Sequence, residues 1–197
     1  ARLIYALFNR DHDPDYNRLA WHIGWASFPA GIIGLLGGDL IEQELRSSSF
    51  VAWNLLFWSL VFFAVERYSA NQKSTETDIS RMTLGQVLFI GFAQAIALLP
   101  GTSRSGITIT GGMLMNLSPT TAARFSFLLG TPIILAAGAH KSLHFLSSQI
   151  NSVHLSGLQL GVGLLVSFTV GYLSIKLLLG IVSRLGLMPF IIYRVIL

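Results

Sequence analysis

The sequence has 197 residues, 52% of them hydrophobic and only 11% charged, with a mean hydropathy of +0.63. Soluble domains carry about twice that charged fraction, so composition excludes an ordinary water-soluble fold and indicates an integral membrane protein. The formal charge of +4 does not indicate nucleic acid, because the basic residues are scattered between apolar blocks, and the lack of cysteine excludes disulfides and thiol chemistry.

The chain opens on LIYALF, an apolar stretch too short to span a bilayer, and closes on PFIIYRVIL, which reads as a helix still under way. Both ends are expected to be cut inside helices of a longer protein, and no signal peptide pattern is present. NRDHDPDYNR, with Pro14, reads as a polar loop. Full apolar segments follow at about Leu19–Gly38 and Phe50–Val65, separated by the acidic, serine-rich loop DLIEQELRSSS. ERYSANQKSTETDISR is the longest polar linker. Beyond it lie apolar Leu84–Leu99, the polar stretch PGTSRSG, apolar Ile107–Leu117, and two further full segments at about Phe125–Phe145 and Leu155–Leu179. Helices are the expectation throughout, since an open sheet cannot satisfy its backbone in lipid. The predicted fold is an all-α integral membrane protein, with residues 1–197 forming a single polytopic domain.

Ile107–Leu117 is too short to cross, and runs of about 10–14 residues are typical of re-entrant pieces. With Leu84–Leu99 it makes a re-entrant helix–loop–helix hairpin over about residues 83–118, the alternative being one long broken transmembrane helix. The hairpin places Arg2, Arg10, Arg18, Arg67, Lys73, Arg81, Arg124, Lys176 and Arg184 on one side and only Arg46 and Lys141 on the other. A single crossing in its place weakens that bias, so the hairpin is predicted to enter from the cytoplasm.

The stretch LLPGTSRSGITIT has the parts of an anion site. Gly101 and Gly106 allow close backbone approach, and Ser103, Ser105 and Thr108 supply hydroxyls, with Thr102 beside them. A helix starting near Gly106 points unpaired N–H groups at the loop, and Arg104 adds a planar fork suited to phosphate. An arginine at membrane depth costs several kcal/mol unless partnered. The competing structural account has small residues for helix packing and Arg104 paired to an acidic side chain. The loop is not a Walker P-loop, because the lysine and its spacing are missing.

PGTSRSG resembles the signature loop of the bacterial undecaprenyl-diphosphate phosphatases, the bacitracin-resistance membrane family. So do its surroundings, GQVLFIGFAQAIALLPGTSRSGITITGGMLMNLS, then AARFSFLLGTPIILAAG, PFIIYR and, upstream, FPAGIIGLL. The resemblance implies an inverted-repeat fold in the bacterial cytoplasmic (inner) membrane. It also implies hydrolysis of undecaprenyl diphosphate to undecaprenyl phosphate and phosphate, which recycles the lipid carrier for cell-wall synthesis and confers bacitracin resistance. By position, Ser103, Arg104 and Ser105 are expected at the diphosphate, with Gly101, Thr102, Gly106 and Thr108 around it. Arg194 of the terminal Tyr-Arg pair is expected to add a second positive group, and Gln94 matches a recurrent polar position. The family's glutamate-rich hairpin and Ser-Ser-Thr-Gly-His-type loop do not occur in these residues. The resemblance therefore implies a divalent cation, Mg2+ or Ca2+, whose ligands are outside this chain, and these residues alone are expected to be inactive. Expected partners are the isoprenoid diphosphate lipid and membrane lipids, with a homodimer as a further option and no nucleic acid.

The remaining polar residues carry weaker signals. His140 and His144 have helical metal-ligand spacing but lie beside Lys141 at a segment end, which favours a solvated pair. His12, His22 and His154 read as loop or interface residues, and Asp39, Glu42 and Glu44 as a solvated loop. Trp21, Trp25, Trp53 and Trp58 suit interfacial anchoring, Arg124 and Lys176 can snorkel, and Pro29 and Pro132 are expected to kink helices. The rival function is a membrane transporter or channel for an anionic substrate, built on the same hairpin.

Overall fold

The computed structural model describes residues 14–72, 78–147 and 157–197; the side chains at 14, 38–44 and 140–147 fall outside that description. His12, Lys73 and His154 lie outside the described residues, as do the side chains of Asp39, Glu42, Glu44, His140 and His144. The described residues fold into seven α-helices: α1 Pro14–Glu44, α2 Ser48–Ala70, α3 Leu84–Ile96, α4 Arg104–Leu114, α5 Pro119–Ser147, α6 Gly157–Leu185 and α7 Met188–Ile196. A short 3-10 turn at Ile79–Arg81 precedes α3. Helices α1, α2, α5 and α6 are long and apolar enough to cross a membrane, whereas α3 has 13 residues and α4 has 11.

Several helices outrun the apolar segments. α1 starts at Pro14, where proline's missing N–H costs nothing, and continues through the acidic stretch to Glu44. DLIEQEL is therefore largely helical rather than a loop, because glutamate, glutamine and leucine are good helix formers in or out of lipid. α2 likewise runs on to Ala70, stopped upstream by the Ser47 cap, whose side chain accepts from Phe50 N. His22, expected in a loop or at an interface, is buried within α1, and its Nδ1 has no partner. Trp21, Trp25 and Trp53 are exposed, as anchoring requires, but Trp58 packs against the core through Phe62.

Helices α3 and α4 form an antiparallel hairpin. Thr83 caps α3 in a reciprocal box with Gln86, whose Nε2 then donates to Met115 O at 3.0 Å. The start of α3 and the end of α4 thus lie side by side. α4 ends where Asn116 takes φ 62 and Leu117 N donates back to Gly112 O at 3.1 Å. Ser118 then accepts from Thr121 N, and Pro119 opens α5.

The hairpin is wrapped by close backbone contacts. A Cβ on Gly91 of α3 would meet Ala26 O of α1 at 2.6 Å, and one on Gly112 of α4 would meet Ala122 Cβ of α5 at 2.7 Å. Missing side chains let these helices touch along their backbones, as membrane packing favours. The core gathers here around Val87, Ile90, Ile107, Ile109, Phe125 and Leu129, all nearly inaccessible. α6 is the opposite case, with its apolar side chains exposed along most of its length.

α2 sets the depth of the hairpin. Ser69, in its last turn, donates to Met113 O at 3.5 Å, whereas Asn54, within its first two turns, donates to Pro100 O. About 22 Å of helix separates Asn54 from Ser69 at about 1.5 Å per residue, so the tip lies near the end of α2 opposite the hairpin's base.

Gly91→Ala should destabilise the protein by about 1–3 kcal/mol through overpacking. Gly31→Ala, with nothing within 4 Å of the added atom, should be neutral or stabilise by up to about 1 kcal/mol. Thermal unfolding in detergent micelles distinguishes the two.

Candidate functional site

The chain leaves α3 through a series of tight turns, with Ala97 N, Leu98 N and Leu99 N each donating to the carbonyl three residues earlier. Pro100 stops the helix and Gly101 turns it with φ +90. Gly101 was expected to let the backbone approach a ligand. Its close neighbour is instead α2, since a Cβ there would meet Val51 O at 2.7 Å. Gly106 plays a similar part, as its Cβ position is filled by the Phe62 ring.

Ser103 is the N-cap of α4, with φ 69 and ψ 102, a backbone state costing a non-glycine residue about 1–3 kcal/mol. Its Oγ accepts from Gly106 N at 3.3 Å, which leaves the hydroxyl hydrogen free to donate. α4 therefore begins at Arg104, two residues before Gly106. The N–H groups of Arg104 and Ser105 occupy the unpaired positions of a helix N-terminus, where the dipole favours an anion.

A cavity of about 260 Å³ opens beside this turn. Ser103, Ser105, Gly106 and Arg194 form its polar wall, and Phe62, Ile109, Leu178, Leu187, Phe190, Ile191 and Tyr193 its apolar remainder. α7 delivers Arg194 because the chain breaks at Gly186, φ +63, where Glu66 Oε1 accepts from Leu187 N at 3.2 Å. A larger recess of about 730 Å³ runs along α6 from Leu173 to Leu185, but it is the open apolar face of one helix and converges no polar groups beyond Lys176 and Arg184.

Arg104 leaves the loop in another direction. Its guanidinium lies on α5 over Gly130, where any Cβ would collide with both terminal nitrogens. Nη1 is buried without a hydrogen-bond partner, and no acidic side chain among the described residues pairs with it. The ion pair that the competing structural account requires is absent there.

The other expected site residues face inward. Thr102 is fully buried, its Oγ1 accepting from Asn54 Nδ2 at 2.9 Å. Thr108, expected as a ligand donor, is only 1% exposed and shares a 2.6 Å hydrogen bond with Ser126, so its hydroxyl fastens α4 to α5 instead. Gln94 is 2% exposed, and neither end of its amide has a partner. Asn54, Ser59, Phe62 and Gly130 were not anticipated. A lone amide and a hydroxyl inside the apolar run FVAWNLLFWSL are the signal that could have revealed the first two.

The described residues do not suit a divalent cation. They contain no group of three His, Asp or Glu side chains, and the charges at the loop are two guanidiniums. No histidine or carboxylate lines the cavity.

The family model described as bacitracin resistance protein BacA matches residues 1–197. The chain is 44% identical over 185 residues to the undecaprenyl-diphosphatase of Chromohalobacter salexigens, covering 92% of this chain and 66% of that one. It is 42% identical over 180 residues to the undecaprenyl-diphosphatase of Saccharophagus degradans, covering 91% and 64%. With that of Aliivibrio salmonicida the identity is 39% over 194 residues, covering 98% and 69%. The chain spans just under two thirds of the length of several such relatives.

Gly130→Ala should leave the melting temperature unchanged, because only the flexible end of Arg104 must move. Displacing that guanidinium should weaken binding of inorganic diphosphate about tenfold, the loss of one charged hydrogen bond. Isothermal titration measures this, and unchanged affinity removes Arg104 from the anion site.

Proposed function

The chain belongs to the bacitracin resistance protein BacA family, and from that membership we propose that the complete protein hydrolyses undecaprenyl diphosphate to undecaprenyl phosphate and inorganic phosphate. Four long apolar helices and the family make it a multi-pass protein of the bacterial cytoplasmic membrane. The observation that carries the proposal is Arg104, a half-buried guanidinium whose Nη1 is buried without a partner and which meets no counter-charge among the described residues. Such a group is costly to keep in a membrane protein unless an anion meets it during function.

In the proposed reaction, water attacks the terminal phosphorus, directly or after transfer of the phosphoryl group to an enzyme nucleophile, and the bond to the bridging oxygen breaks, that oxygen leaving on the lipid monophosphate. The products are inorganic phosphate and the lipid monophosphate, which returns to cell-wall synthesis; the same turnover is the proposed basis of bacitracin resistance. Phosphoryl transfer depends mainly on positioning and charge stabilisation. The Ser103 and Ser105 hydroxyls on the cavity wall donate to non-bridging oxygens, the first N–H groups of α4 add the helix dipole, and Arg104 supplies the charge by swinging its flexible side chain from Gly130 toward the anion. The apolar part of the cavity suits the first isoprenyl carbons of the lipid. Among the described residues no histidine or carboxylate lines this cavity to act as a general base. No step is assigned to a divalent cation. The tip lies against the first turns of α2, which favours access from the face opposite the hairpin's base.

Arg104→Ala in the complete protein should lower phosphate release by about 10²–10³-fold with folding intact. Release from an isoprenoid diphosphate in detergent micelles measures it, and near-normal turnover sinks the assignment. Flux of an anion through proteoliposomes without hydrolysis would instead support a transporter.

A further inference from the structure

We propose that Asn54 and Arg194 are positioning residues, a two-sided clamp that acts on the backbone of the phosphate loop rather than on the ligand. Asn54, from α2, donates through Nδ2 to Pro100 O at 2.7 Å and to Thr102 Oγ1 at 2.9 Å. Arg194, from α7, donates through Nη2 to Gly101 O at 2.8 Å. Three consecutive loop residues are thus held by two side chains from different helices. Within the loop, only the 3.2 Å bond from Thr102 N to Leu99 O braces the same bend locally.

The chemistry of each side chain fits holding better than binding. Arg194 also donates from Nε to Ser59 Oγ at 3.2 Å and from Nη2 to Leu55 O at 3.3 Å, so only Nη1 remains uncommitted. The Phe62 ring, 5.4 Å from its guanidinium carbon, fixes the plane of the fork. A ligand drawing on Nε or Nη2 would have to break these bonds. Asn54 does not line the cavity, so its route to function runs through the loop.

The clamp explains how Ser103 holds φ 69 two residues after Gly101 at φ +90. A non-glycine residue in such a backbone state persists only where the surroundings over-determine it. Released at Pro100–Thr102, Ser103 can relax, and the N–H groups at the start of α4 lose their common direction.

The test uses the complete protein with Asn54→Ala, the volume-preserving Asn54→Leu, Arg194→Lys and the double variant Asn54→Ala/Arg194→Lys. Lysine keeps the charge but cannot span three acceptors with one fork. Hydrogen exchange over residues 101–107 should quicken about tenfold in each single variant while peptides from α3 and α6 keep their protection. That readout needs no turnover. The activity arm rests on the hydrolase proposal: kcat should fall about tenfold with KM nearly unchanged, and the double variant should be little worse than the poorer single one. Unchanged loop exchange in both Asn54 variants overturns the clamp, whatever the activity. Intact loop protection with a raised KM in Arg194→Lys overturns it too, by making Arg194 a ligand contact. Loosened loops in a protein whose unaltered form releases no phosphate would support the clamp and refute the hydrolase proposal.

Discussion

An irregular backbone at membrane depth is tolerated only where protein covers it or it lines a watery cavity. The loop at Pro100–Ser103 is such a backbone, and the surrounding helices are arranged to meet its demand. α2 contributes Asn54 near its start and the acceptors Leu55 O and Ser59 Oγ that seat Arg194. α7 exists as a separate helix because the chain breaks at Gly186, and that break turns it back along α2. Glu66 secures the break, so a carboxylate near one end of α2 supports an arginine acting near the other.

The second organising feature is the use of absent side chains as space. Gly91 and Gly112 let α1, α3, α4 and α5 meet backbone to backbone, which holds the short hairpin firmly although neither arm could cross a bilayer. Gly106 and Gly130 use the same device at the loop, admitting Phe62 on one side and Arg104 on the other. The loop is therefore defined from two sides: α2 and α7 hold its backbone, and α5 receives its charge.

Much of this was legible in the sequence. The long apolar runs gave the four crossing helices, and the short pair flanking PGTSRSG gave the hairpin, because length and hydropathy alone decide what can span. Helix ends were misplaced where polar residues continue a helix, as at Asp39–Glu44, since hydropathy marks lipid depth and not hydrogen bonding. Ser103 and Arg104 were conspicuous, but which hydroxyls face a cavity depends on rotation about helix axes that no local pattern reveals. Thr108 shows this, with a donor's chemistry and a packing residue's position. Asn54 and Gly130 were hidden for a related reason: each matters through a residue about 26–48 positions away, and that pairing arises only once helices cross.

Arg104 rests over Gly130 by shape, with no bond among the described residues to hold it. A cation fixed by a counter-ion must give up that partner before it can take another, and each exchange adds a barrier. One lodged in a steric notch has no resident partner to displace. Under the proposed function it meets an arriving anion with its donors unspent, and when the anion departs no described residue competes to draw it aside. The bare α-carbon at position 130 would thus bear on how quickly the proposed site resets between encounters, and so on its tempo as well as its affinity.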